Sequence, residues 1–157
     1  MSCACDASPT FRMEVYTSCG IDQPSTVSTR LYHGDGIRLR LRVGTFGPEG
    51  AAPATLYWQI FDPANEEGVP DEPVEVSPDE EGLFDFVVLG FENDTAAQAR
   101  RTVLQMIVTY PGGEQRTILY DVWVLRRYQM NIPGSSETSG TLLHMTFLSA
   151  LVEGVTQ

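Results

Sequence analysis

Apolar residues recur at every second position over much of this chain. In Ile37 to Val43, IRLRLRV, the apolar Ile37, Leu39, Leu41 and Val43 alternate with Arg38, Arg40 and Arg42. A period of two sends successive side chains to opposite faces of a strand, so this run predicts a core face backed by an arginine face. Thr55 to Phe61 (TLYWQIF) reads as a second strand, closed by Asp62-Pro63 because proline cannot donate to a ladder. Leu83 to Leu89 (LFDFVVL) places Phe84, Phe86 and Val88 together, and Thr10 to Tyr16 (TFRMEVY) does the same with Phe11, Met13 and Val15. The clearest local signal is TVLQMIVTY-PGGEQ-RTILYDVWVL, two apolar, β-branched runs around a Pro-Gly-Gly turn. It predicts a long β-hairpin.

The punctuation between these runs organises the chain. His33-Gly34-Asp35-Gly36 predicts a turn, GPEGAAPA a loop, and Pro73 to Ser77 a short segment after an acidic connection. Asn93 followed by DTAAQAR predicts a capped helix of one or two turns. NIPGSSETSG has the composition of a linker, and the TLLHMTFLSALVEG that follows fits either a strand or a short helix. The expected division is an N-terminal arm over 1–30, a β-sandwich over 31–128, and a linker with a C-terminal arm over 129–157. Each arm either adds to a partner's open sheet edge or completes its own sandwich. Several short strands with turns at close intervals point to an all-β, antiparallel β-sandwich with N- and C-terminal extensions.

Charge narrows the partners. The formal net charge is −11, and twelve of the 21 acids lie between Asp62 and Asp94, a span without a single arginine. An acidic chain is poorly suited to nucleic acid or to an anionic membrane surface, so neither is expected as a partner. All ten basic residues are arginine, each a planar donor matched to a carboxylate. The N-terminal MSCACDASP lacks the basic start and apolar core of a secretory signal, and the run Leu142 to Val152 is too short and too interrupted to span a bilayer. The expectation is a chain made in a reducing cytoplasm. Its three thiols, Cys3, Cys5 and Cys19, are then expected reduced and without metal.

No catalytic constellation emerges. The two histidines, His33 and His144, accompany no nucleophile-elbow motif, and no glycine loop continues into the Lys and Ser or Thr of a phosphate cradle. Asp62 to Gly68 faintly suggests a calcium loop but lacks an oxygen ligand at its third position and the distal glutamate. No enzyme activity, cofactor or metal is expected. Tyr57, Trp58, Tyr120 and Trp123 invite comparison with a carbohydrate-binding platform, but each sits in an apolar strand where an aromatic normally fills a core. The arginine face calls for acids. Asp85, Asp121, Glu75 and the 62–94 span are the candidates within the chain, and the same acids on a neighbouring subunit are the alternative.

From Gly34 to Arg126 the pattern resembles the small immunoglobulin-like domains of tailed-bacteriophage virion proteins, such as the N-terminal domain of baseplate upper proteins. The resemblance is carried by HGDG with IRLRLRV, by ATLYWQIFDPANEEG, and by NDTAAQARR followed by TVLQMIVTY, PGGEQ and RTILYDVWVL. It implies an immunoglobulin-like fold and a non-enzymatic part of the virion, assembled in the host cytoplasm: capsid decoration, connector, or fibre or baseplate adaptor. Partners would be other capsid or tail proteins, or further copies of the chain. The contact residues expected from the sequence are Arg38, Arg40 and Arg42 on the charged face, with Leu142, Leu143, Met145, Phe147, Leu148 and Leu151 in the C-terminal arm. A carbohydrate-binding sandwich is the alternative.

Overall fold

The structure, a computed structural model, describes residues 10–17, 28–46, 49–128, 130–133, 146–147 and 152–155. In chain order the strands are β1 (Thr10–Thr17), β2 (Ser28–Tyr32), β3 (Ile37–Val43), β4 (Thr55–Phe61) and β5 (Gly68–Val76). They continue with β6 (Leu83–Val88), β7 (Ala99–Thr109), β8 (Gln115–Leu125), β9 (Thr146–Phe147) and β10 (Val152–Val155). Among the described residues there is no helix, and the protein is all-β with two sheets.

The first sheet has the order β10-β1-β3-β6, with β9 also paired to β1; the second has the order β2-β8-β7-β4-β5. All pairings are antiparallel except β2 with β8, which run parallel. That one parallel pair departs from the expected wholly antiparallel arrangement. The N-terminal strand lies in the chain's own first sheet, with β1 paired to β3 from Phe11↔Val43 to Thr17↔Ile37. The C-terminal residues that the sequence left between strand and helix form strands at β9 and β10, both laid against β1.

Alternation explains the packing. Along β3 the odd positions Ile37, Leu39, Leu41 and Val43 are buried, and Phe84, Phe86 and Val88 of β6 join them from the same sheet. Leu56, Trp58 and Ile60 of β4, Leu104, Met106 and Val108 of β7, and Ile118, Tyr120, Val122 and Val124 of β8 come from the other. Together with Met13 and Leu31 they form one cluster between the sheets. Fully burying a side chain of this kind is worth about 1.5–3 kcal/mol, so this layer dominates the stability.

The expected hairpin forms as β7 and β8, in register from Ala99↔Leu125 to Thr109↔Gln115. Gly113 closes its turn at a φ of 93°, a conformation that costs glycine little. The expected helix after Asn93 does not form. Asn93 is buried, and its Oδ1 accepts from the Thr95 N–H and hydroxyl while its Nδ2 donates to the carbonyls of Ala97 and Val124. The side chain that would cap a helix instead fastens a run of bends onto β8, and β7 begins at Ala99. The short segment expected at Pro73 to Ser77 is longer, beginning at Gly68.

Candidate functional site

Strand β3 sets its arginines on the outer face of the first sheet, because its other face is committed to the core. The question is what they meet. Arg38 grips Asp85 of β6 with both ends of its guanidinium, Nε to Oδ1 at 2.9 Å and Nη2 to Oδ2 at 2.6 Å. Arg40 stands directly opposite Asp85 in the ladder, its Nε 3.8 Å from the same carboxylate. Arg42 donates to the Glu81 carbonyl at 3.0 Å. On the other side of β3 the register sets Tyr16 beside Arg38, Glu14 beside Arg40 and Arg12 beside Arg42, with Glu153 of β10 beside Arg12.

All three arginines are therefore engaged within the chain. The Arg38 hydrogen bonds hold the Asp85 carboxyl below the usual carboxylate range, partly opposed by its burial, and the charges of Arg38 and Arg40 add to the lowering. About a third of the Asp85 side chain and somewhat more of each arginine still meet solvent, so the cluster's strength is that of a surface network. It fixes the alignment of β6 on β3 more than it adds stability.

The other expected acids are occupied elsewhere. Asp121 pairs with Arg101 at 2.9 Å, and Glu75 accepts from the Tyr57 hydroxyl at 3.0 Å. Asp62, first residue of the suggested calcium loop, turns inward. Its Oδ1 accepts from the Ala64 N–H, its Oδ2 pairs with Arg100, and both contacts lower its pKa. Among the described residues no group of three His, Cys, Asp or Glu could hold a metal ion. His33 sits in its turn with Nδ1 accepting from the Asn93 N–H. Cys3, Cys5, Cys19 and His144 lie outside the described residues.

The aromatic platform is divided by the fold. Trp58 and Tyr120 are buried in the core, whereas Tyr57 and Trp123 belong to the outer face of the second sheet. Burial pushes the Tyr120 phenol far up, partly opposed by the side chain of buried Thr29. Of the expected C-terminal contact residues, Phe147 lies on β9 opposite Tyr16, and Leu142, Leu143, Met145, Leu148 and Leu151 lie outside the described residues.

Two surface features were missed. After β8 the chain carries exposed Arg126 and Arg127 and then Tyr128, Met130 and Ile132, exposed by 65%, 78% and 51%. The expected boundary divides these three apolar residues, with Tyr128 at the end of the sandwich and Met130 and Ile132 in the linker and C-terminal arm. The second feature is an outward bulge in β5. Trp58 pairs with Val74 and Ile60 with Val69, so the four residues Pro70 to Pro73 stand opposite the single residue Gln59. Comparison of the chain with protein-family models, curated proteins and solved structures gave no match.

Proposed function

We propose that this is a non-enzymatic structural protein of a tailed-bacteriophage particle, built on an immunoglobulin-like sandwich and attached to capsid or tail through its terminal segments. The strand order supports the finer fold assignment. β1, β3 and β6 take the places of strands A, B and E, while β4, β7 and β8 take those of C, F and G, with β5 as an added strand beside C. Trp58, buried on β4, occupies the place of the core tryptophan on strand C.

The observation that carries the attachment reading is the position of the C-terminal strands. A polar stretch, NIPGSSETSG, separates them from β8, and among the described residues they pair with β1, on its side away from β3. An element added at an edge through a long connection is the kind that a virion neighbour can offer or receive by strand addition. The test is incorporation of a chain lacking residues 134–157 into particles, where loss of incorporation is expected.

Strand β8 also presents Trp123, 37% exposed, and Leu119, 54% exposed, on the outer face of the second sheet. This favours, as a second reading, a carbohydrate contact at Trp123. Glycan-array binding abolished by Trp123→Ala would establish it, and an array without signal would remove it. Trp58→Ala would not serve, since it empties the core.

A further inference from the structure

The arginines of β3 find partners within the chain, and charges without an ion pair lie elsewhere. Arg38 and Arg40 meet Asp85, Arg42 the Glu81 carbonyl, Arg100 meets Asp62 and Arg101 meets Asp121. Arg116 lies over the Phe46 ring at 4.0 Å. Among the described residues, Arg126 and Arg127 form no ion pair with an acid. Arg126 stacks 5.2 Å from the Tyr128 ring, and the charge of Arg127 acts on buried Asp35 without an ion pair between them. They head the segment that exposes Tyr128, Met130 and Ile132.

The complementary surface lies at the far edge of the same sheet. Strand β5 is the edge beyond β4, three strands from β8 and so about 14 Å away at ordinary strand spacing. Its bulge presents exposed Asp71 and Glu72, neither in an ion pair among the described residues, between Pro70 and Pro73 and next to Val69, which is 48% exposed. Both surfaces thus combine two charges of one sign with exposed apolar atoms, and the signs are opposite.

We propose that the segment from Arg126 to Ile132 of one copy docks on the β5 bulge of a second copy. Arg126 and Arg127 meet Asp71 and Glu72, for which planar guanidinium groups are well matched. Tyr128, Met130 and Ile132 cover Val69, Pro70 and Pro73. The prolines and the bulge deny the incoming chain a regular ladder, so the contact is by side chains and does not propagate as an endless sheet. Because donor and acceptor are different surfaces of the chain, each copy both offers and receives the contact. The net charge of −11 opposes the approach of copies, so association is strongest at moderate salt, where long-range repulsion is screened, and is lost at high salt.

This goes beyond the virion reading and is tested on the purified full chain. Sedimentation velocity at ~0.15 M salt, from micromolar to millimolar chain, should show a mass that rises with concentration. The double substitution Arg126→Glu with Arg127→Glu should weaken association by about tenfold or more, and adding Asp71→Arg with Glu72→Arg in the same chain should restore it. Met130→Ser should weaken it as well. All these positions are exposed, and unchanged thermal melting would confirm that the variants fold. A chain monomeric throughout the range overturns the proposal. So does a doubly substituted chain that associates like the original.

Discussion

At the residue scale, Asn93 shows how one side chain decides a local structure. Three of its side-chain hydrogen bonds hold Thr95 and Ala97 in the bends that follow it, a fourth reaches Val124 near the end of β8, and the residue is nearly inaccessible. Asn93→Ala should destabilise the protein by about 2–3 kcal/mol in chemical denaturation, because the partners it leaves are partly buried. From sequence, the same residue signals a helix cap; the carbonyl of Val124, thirty-one residues away, decides against the helix and no local pattern reveals it. Asp85 gives a second residue-scale prediction. Its pKa lies below the ordinary 3.8, so its pairing with Arg38 stabilises the fold above that value and is lost as pH falls through the lowered pKa. Asp85→Asn should lower stability at neutral pH by less than about 1 kcal/mol, and melting curves of the two proteins should converge as pH falls through the lowered Asp85 pKa.

At the scale of elements, period-two alternation made β3, β4, β6 and the β7–β8 hairpin legible, because each has one face committed to a single core. Elements without that commitment were harder to read. Strand β5 is almost wholly exposed and broken by two prolines, so only its end was expected. Strand β2 takes its place by parallel pairing with β8, a long-range contact that its polar residues do not announce. The arginine face could be placed on β3 from sequence, but its partner could not. Asp121 and the whole 62–94 span, with Glu75 and Asp85 in it, offered acids, and only the register of β6 selects Asp85. Among the described residues, strands β9 and β10 pair with β1 and with no other strand. Removing residues 134–157 should therefore leave the core folded while the β1 amides at Thr10 to Met13 exchange with solvent faster. Hydrogen exchange read by mass spectrometry would detect the change.

At the scale of the whole molecule, a stable two-sheet core carries its distinctive chemistry at its edges. The arginine stripe holds two strands in register, the C-terminal strands occupy the β1 edge, and the acidic β5 bulge occupies the edge of the other sheet. Under the proposed virion reading this body is held by its neighbours, and the C-terminal strands make the attachment. The most direct test is to produce particles with the full chain or with the chain lacking residues 134–157, and to quantify each in the purified particles. The account predicts the full chain at a fixed number of copies and the truncated chain absent, although it folds. Equal incorporation of the truncated chain, or absence of the full chain from the particles, would contradict it.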